Sequence, residues 1–182
     1  MGEAIGMVEF RTVSSGIAAA DAMVKAAPVR MLEAQVVCPG KYVAVIAGSI
    51  SAVQAAVSAA RALAPDRLIS DFVLGNPHPY VIPAVYGAGK VGEVRALGVV
   101  ETYDAATVIV AADEAAKAAS VELIEIRIAR GMCGKSFLLL TGELAAVETS
   151  CEKARLAAGA VGMYLDSAVI ARPDEKIIEA IM

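Results

Sequence analysis

The apolar positions in the first half of the chain follow two periods, one typical of strands and one typical of amphipathic helices. Short apolar and β-branched runs predict four strands, at residues 4–10, 29–37, 41–48 and 67–74. An Ala-rich segment at residues 15–27 and a second one that ends near Ala64 have the apolar spacing of helices. The predicted order is β-α-β-β-α-β, a ferredoxin-like α+β module with its helices on one face of an antiparallel sheet.

Local signals support these elements. Ser49 or Ser51 is predicted to cap the second helix, because a Ser hydroxyl accepts a hydrogen bond from a free N–H group of the first turn. The segment Cys38-Pro39-Gly40 predicts a tight turn between the second and third strands, and a short helix is expected after Pro79. In the first helix, the stripe predicted to face the core consists of Ile17, Ala20, Val24 and Ala27.

The same module occurs twice in the chain. Residues 4–9 (AIGMVE) recur as residues 96–101 (ALGVVE), 92 positions later. Other landmarks recur in the same order at offsets of 92, 94 and 96 positions: Asp21 and Lys25 as Asp113 and Lys117, Gly40-Lys41 as Gly134-Lys135, and Val73-Leu74 with Pro77 as Val169-Ile170 with Pro173. A repeat of this length indicates two copies of one supersecondary unit. We therefore predict two domains, at residues 1–91 and 92–182.

Residues 87–92, with the sequence GAGKVG, match the glycine pattern of dinucleotide-binding loops. Such a loop must follow a strand and open a helix. Here the pattern precedes the predicted strand at residues 96–102 and lies where the two modules join. We interpret it as a flexible linker.

The composition points to extensive buried surface. Apolar residues make up 58% of the chain and charged residues only 20%, and the mean hydropathy is +0.64. No apolar run approaches the roughly 18 to 20 residues of a membrane-spanning helix, and the first residues lack the features of a secretion signal. We expect a cytoplasmic protein whose excess apolar surface is covered by other subunits.

The candidate chemistry is sparse. The net charge of −4 and the few aromatic residues argue against binding of nucleic acid. A single histidine, His78, and the lack of a nucleophile–base pair argue against an enzyme. The three cysteines, Cys38, Cys133 and Cys151, form no CxxC pair, so in a reducing compartment they are expected to be thiols or metal ligands.

Several of these motifs together resemble the bacterial microcompartment shell domain. They are AIGMVE at residues 4–9, DAMVKAA at residues 21–27, CPGKY at residues 38–42 and the late Arg172-Pro173. The tandem order and the Cys-Pro-Gly-Lys turn resemble the trimeric shell subunits of the propanediol-utilisation type, which carry an iron–sulfur cluster. The resemblance covers nearly the whole chain, twice.

This resemblance implies a homotrimer in which six modules form a six-sided tile, a pseudohexamer, within a microcompartment shell in the cytoplasm. The turns that face the three-fold axis would line a central pore, through Cys38, Pro39, Gly40, Lys41, Met132, Cys133 and Gly134. Lys25, Lys117 and Arg172 would lie at the tile edge and contact other shell proteins, while Asn76 takes the place of Arg172 in the first copy.

The resemblance also implies one [4Fe–4S] cluster per trimer, held by Cys38 of each chain, with backbone amides near Gly40 and the Lys41 charge stabilising the anionic cluster. Such a site would transfer electrons across the shell, with encapsulated or cytosolic redox enzymes as partners. The alternative is a cofactor-free trimer whose pore passes small metabolites. A third possibility is a monomeric ligand-binding protein unrelated to shells.

The remaining polar residues admit less specific interpretations. Cys133 is either a further cluster ligand or a thiol that points away from the axis. Cys151 aligns with Val57 on the inward stripe of the second helix and is predicted to be a core residue. Lys41 and Lys135 are either pore-lining charges or solvated strand starts, and His78 is expected in a loop near the tile edge.

Overall fold

A computed structural model describes residues 3–89 and 91–181. The described chain forms two compact units, one made of residues 3–77 and 131–134 and the other of residues 78–130 and 135–181. The predicted boundary lies between residues 91 and 92, whereas the structure places residues 78–89 with the second unit.

The first unit has the predicted order of elements. Its sheet has the strand order β2-β3-β1-β4, and every neighbouring pair is antiparallel. The elements are β1 (Ala4–Phe10), α1 (Val13–Ala26), β2 (Arg30–Val37), β3 (Lys41–Gly48), α2 (Ile50–Leu63) and β4 (Leu68–Leu74).

The second unit repeats this order after a short additional helix. Its sheet has the equivalent order β6-β7-β5-β8, again antiparallel. The elements are α3 (Val81–Val85), β5 (Ala96–Thr102), α4 (Ala105–Ala118), β6 (Val121–Arg127), β7 (Ser136–Gly142), α5 (Leu144–Ala160), β8 (Tyr164–Ala171) and α6 (Glu175–Ile181). The predicted fold of two βαββαβ modules is confirmed.

The two copies share irregularities as well as regular elements. A register shift interrupts β2 between Met31 and Glu33, and an equivalent shift interrupts β6 between Leu123 and Glu125. Asn76 and Arg172, which align in the two copies, both have positive φ angles, of 53° and 50°. Positive φ is uncommon for residues other than glycine, so its presence at equivalent positions supports the alignment of the repeats.

Each sheet approaches its second helix closely at a glycine. A Cβ atom on Gly6 in β1 would lie 2.9 Å from a methyl group of Val57, and a Cβ atom on Gly98 in β5 would lie 2.6 Å from Cys151 Sγ. Since real Cβ atoms need more room than this, only glycine permits helix and sheet to pack so closely. Cys151 is 4% exposed, as predicted for a core residue.

The stripe predicted to face the core on the first helix was partly wrong. Ile17 and Val24 are 53% and 43% exposed, and α1 instead buries Gly16, Ala19, Ala20 and Met23. The helix is rotated because Gly16 lies directly against Tyr42: a Cβ atom there would be 2.3 Å from Tyr42 Cβ. Close packing at the glycine therefore decides which side of the helix faces the sheet.

The predictions for the second helix and for the linker had different outcomes. Ser49 caps α2 by accepting a hydrogen bond from the N–H group of Ala52, at 3.3 Å, so that prediction is confirmed.

The prediction of a flexible linker was wrong for its described part. A Cβ atom on Gly89 would lie 2.4 Å from the carbonyl oxygen of Leu123, and the N–H group of Gly92 donates to Glu122 at 2.8 Å. The linker thus lies against β6, the edge strand of the second sheet, and Lys90 is outside the described residues.

Gly16→Ala is expected to lower the free energy of unfolding by about 2 kcal/mol. The crowding against Tyr42 outweighs the helix propensity of alanine, which favours the change by about 1 kcal/mol. Gly159→Ala in α5 is the matched control, because no atom lies within 4 Å of its added Cβ. Denaturant titration of both variants at one protein concentration measures the difference; equal stability of the two would contradict the packing argument.

Candidate functional site

The predicted pore turn of the first copy joins β2 to β3 and carries Cys38 at its start. The N–H group of Gly40 donates to the carbonyl oxygen of Val37 at 3.0 Å, which closes the turn. Gly40 has a φ of 86°, a conformation that glycine adopts at little cost. Cys38 is a partly exposed free thiol, and no atom lies within 4 Å of the position of a Cβ on Gly40. The turn therefore presents its thiol beside open space.

The predicted pore loop of the second copy contributes Gly131–Gly134 to the same compact unit as Cys38. A Cβ atom on Gly134 would lie 2.9 Å from Lys41 Nζ and 3.6 Å from the carbonyl oxygen of Cys38. Cys133 is an exposed free thiol with a φ of 54°. By alignment, the residue that replaces Cys38 in this loop is Met132. The two predicted pore loops are thus neighbours, and each exposes one cysteine.

Lys41 points into the protein rather than into the open space beside the turn. Its ammonium group forms an ion pair with Glu9, whose side chain is fully buried. Ser70 Oγ donates to the other carboxylate oxygen of Glu9 at 3.1 Å. A buried carboxylate is stable only when it is paired and hydrogen-bonded. Glu9 therefore holds Lys41, the first residue of β3, and offsets part of its charge.

Sequence reasoning missed this network. Glu9 and Lys41 are 32 positions apart, and only strand pairing brings them together. A signal was available: Glu9 lies within the apolar strand β1, on the same side as Ile5 and Met7, which are buried. The second copy differs, since Lys135 is exposed and Glu101 is only half-buried.

Three observations bear on whether a metal cluster fits. Within the described residues of one chain, no three His, Cys, Asp or Glu side chains lie close enough together to hold a metal ion. A centre at Cys38 would therefore need thiols from several chains. The thiol is free and accessible, and the adjoining glycine leaves room beside it, so the residues fit a ligand set of one cysteine per chain.

The third cysteine is chemically separate from the other two. Burial of Cys151 between α5 and β5 raises the pKa of its thiol to about 11. A thiol of this kind stays protonated at neutral pH and behaves as an apolar core group. Cys38 and Cys133 are the cysteines available for chemistry at the surface.

The predicted edge residues are held by carboxylates in both copies. Lys25 pairs with Asp21 and Lys117 with Asp113, each at 2.6 Å and one helical turn apart. The first pair is exposed, whereas Asp113 is buried and also accepts a hydrogen bond from the backbone N–H of His78 at 2.7 Å. This second contact was not predicted, because a backbone donor leaves no trace in the sequence.

The remaining predicted edge residue, Arg172, follows β8. Its side chain is exposed, and its backbone N–H group donates to the carbonyl oxygen of Arg95 at 3.0 Å.

Among the helices of the described residues, none has the length and apolar character that a membrane-spanning helix needs.

With this geometry in place, comparison with known proteins shows the class of the molecule. The BMC domain family matches the chain twice, over residues 4–77 and 96–173. Both matches coincide with the βαββαβ modules, and the chain therefore belongs to the BMC domain family as a tandem shell protein.

Individual relatives agree with this assignment. The chain is 37% identical over 177 residues to the bacterial microcompartment shell protein PduT of Citrobacter freundii, covering 97% of this chain and 96% of PduT. It is 38% identical over 96 residues to the carboxysome shell protein CsoS1 of Prochlorococcus marinus, which covers 51% of this chain and 93% of CsoS1.

Solved structures share the fold. A microcompartment protein from Desulfitobacterium hafniense has a TM-score of 0.93 and 45% sequence identity, with 98% of this chain and 99% of that one covered. A fused permuted hexameric shell protein from the RMM microcompartment has a TM-score of 0.66, covers 87% of this chain and 85% of its own, and at 23% identity indicates the fold alone.

The stability of the protein is expected to fall between about pH 8.5 and 11 through Cys151. The unfolded thiol ionises from about pH 8.5, while the native thiol stays protonated up to about pH 11. The stabilisation present below this window is lost across it, by up to about 3 kcal/mol. Cys151→Val, which copies Val57 of the first module, should remove this part of the decline.

Denaturant titrations from pH 7 to 11 on the wild type, Cys151→Val and Cys133→Ser measure this effect. Cys133→Ser should follow the wild type, because Cys133 is exposed. Parallel profiles for the wild type and Cys151→Val would show that the buried thiol does not ionise on unfolding.

Proposed function

We propose that the chain is a structural shell subunit of a bacterial microcompartment in the cytoplasm, and that three copies form a pseudohexameric tile with a [4Fe–4S] cluster on its three-fold axis. The observation that carries the proposal is the accessible thiol of Cys38 in the turn between β2 and β3. In the second copy of the module, Met132 takes the place of Cys38, so each chain supplies one cysteine at this position. The similarity to PduT along nearly the whole chain supports the role in a shell.

The repeat supports a trimer. Relatives such as CsoS1 match over about half of this chain, so one chain of the present kind supplies two modules. Closed rings are the usual form of a head-to-tail assembly, and three tandem chains provide six modules. Each chain then contributes one β2–β3 turn and one β6–β7 loop to the surroundings of the axis.

The chain's own residues determine what such a site can hold. Three Cys38 thiols around one axis supply three of the four thiolates that usually bind a [4Fe–4S] cluster. Bound there, the cluster would supply one-electron transfer. Gly40 keeps the space beside the thiol open, and the buried Glu9 holds Lys41 at the base of the turn.

A centre of this kind suits electron transfer across the shell. Its partners would be redox enzymes on either side, and the edges of the tile would contact other shell proteins through Lys25, Lys117 and Arg172. Each edge lysine extends from a helix end where its carboxylate partner orients it. The role is structural and electron-conducting rather than catalytic.

Replacement of Cys38 by serine is expected to abolish the cluster and leave the trimer intact. Protein purified without oxygen should be brown and contain about four irons per trimer, whereas Cys38→Ser should be colourless. Cys133→Ser is the matched control, expected to retain the colour because the three Cys38 ligands remain. Iron and sulfide analysis, with the mass in solution, measures the outcome. A colourless wild-type trimer would instead favour a pore for small metabolites.

Lys25→Ala is expected to weaken the association of tiles without dissociating the trimer. The side chain is exposed and, within residues 3–89 and 91–181, forms its ion pair with Asp21 on its own helix, so its loss costs the fold little. Lys153→Ala, another exposed helical lysine, serves as the control. Electron microscopy of sheets formed at increasing protein concentration compares the three proteins; sheets from Lys25→Ala at the wild-type threshold would argue against the edge role.

A further inference from the structure

The two short helices α3 and α6 occupy equivalent places in the repeat. α3 follows β4 and α6 follows β8, and the offset of 96 positions that aligns these strands also aligns the helices. Their apolar residues coincide: Val81, Ile82, Ala84 and Val85 align with Ile177, Ile178, Ala180 and Ile181. A helix with the same apolar pattern is expected to need the same kind of packing surface.

α3 has such a surface in the second unit. It packs against α4 and β6, and its residues Val81 and Ala84 are fully buried. The chain just before it is fixed by the hydrogen bond from the N–H group of His78 to Asp113 Oδ1, at 2.7 Å. The helix that follows the first module thus lies on the first helix of the next module.

α6 lacks an equivalent surface. It has no buried residue, and Ile177, the counterpart of the fully buried Val81, is 51% exposed. Only Ile181 at its end packs beside the small cluster of Leu97, Ile124 and Leu139. The helix that follows the second module therefore carries an apolar face that the single chain leaves uncovered.

The surface of α1 that is equivalent to the packing surface of α3 on α4 is also uncovered. The stripe of α4 at this packing surface is buried, with Ile109 0%, Asp113 1% and Ala116 7% exposed. Its counterparts in α1 are exposed: Ile17 is 53% exposed, Val24 is 43% exposed, and the side chain of Asp21 is 56% exposed. One chain thus contains a helix, α6, whose apolar face is uncovered, and a surface on α1 on which no helix of the described chain packs.

We propose that α6 of one copy packs on α1 and β2 of the neighbouring copy, as α3 packs on α4 and β6 within the chain. Asp21 would accept a hydrogen bond from the backbone N–H of Asp174, the counterpart of His78, and keep its ion pair with Lys25 as Asp113 does with Lys117. In a closed ring of tandem chains, the module that follows the second module belongs to the next chain. The inference deepens the proposed trimer and rests on it.

A cysteine pair tests the contact directly. Asp21→Cys with Asp174→Cys, in a Cys38→Ser and Cys133→Ser background, is treated with oxidised glutathione and run on a denaturing gel without reductant. The proposal predicts disulfide-linked dimers and trimers, since the equivalent contact in the second unit joins a side-chain atom and a backbone nitrogen only 2.7 Å apart.

The repeat provides the matched control. His78→Cys with Asp113→Cys, in the same background, should form its disulfide within one chain and remain monomeric on the gel. If the wild type is a trimer but the Asp21→Cys and Asp174→Cys pair of the variant stays reduced, or closes within one chain as shown by peptide mapping, the inference is overturned and the proposed trimer stands. A wild type that is monomeric at all concentrations overturns both.

A substitution in α6 provides a second measurement. Ile177→Asp should raise the protein concentration needed for trimers by at least tenfold while leaving the fold of the monomer unchanged, because Ile177 is half exposed in the single chain. Lys176→Gln is the control, since its counterpart Tyr80 remains 46% exposed on α3. Sedimentation over a range of concentrations gives the comparison; equal trimer formation by Ile177→Asp and Lys176→Gln contradicts the proposal.

Discussion

A four-stranded sheet has two faces, and the two long helices of each module cover only one of them. On the other face of the first sheet, Ile5, Met7 and Val45 are almost inaccessible to solvent, whereas Val99, the counterpart of Met7, is only partly buried. Burial of this second face is the constraint on which the molecule depends, because an open apolar face of this size favours association. In the second sheet Leu97 and Leu139, the counterparts of Ile5 and Val45, are also buried, at 2% and 7% exposure, so the two copies differ at the Val99 position.

The constraint also accounts for the high apolar content. A soluble domain rarely needs 58% apolar residues, and exposed apolar side chains occur on two particular elements, the outer stripe of α1 and the terminal helix α6. In the other copy the counterparts of the α1 stripe are buried. Differences in exposure between equivalent positions are thus more informative than exposure at any one of them.

The sequence predicted the fold well because the fold depends on local patterns. Turn residues at Pro39 and Gly40, the Ser49 cap and the apolar runs of the strands each act within a few residues of the chain. The site was predicted less completely, because its contacts join distant segments. The ion pair between Glu9 and Lys41 depends on strand register, and the contact between His78 and Asp113 uses a backbone donor. Ile17 and Val24 have the periodicity of a core-facing stripe but are exposed, because periodicity alone does not show which side of a helix packs on its own sheet.

Cys38 of the first copy aligns with Met132 of the second, and this difference determines how many cysteines an assembly presents at this turn. In a ring of six identical modules, a cysteine at this turn would occur six times, which exceeds the number of irons in a cubane cluster. Duplication followed by divergence of this turn halves that multiplicity; the connections have also diverged in length, with residues 38–40 between β2 and β3 and residues 128–135 between β6 and β7. A tandem chain can in this way place an odd number of identical donors around an axis while retaining a six-sided outline.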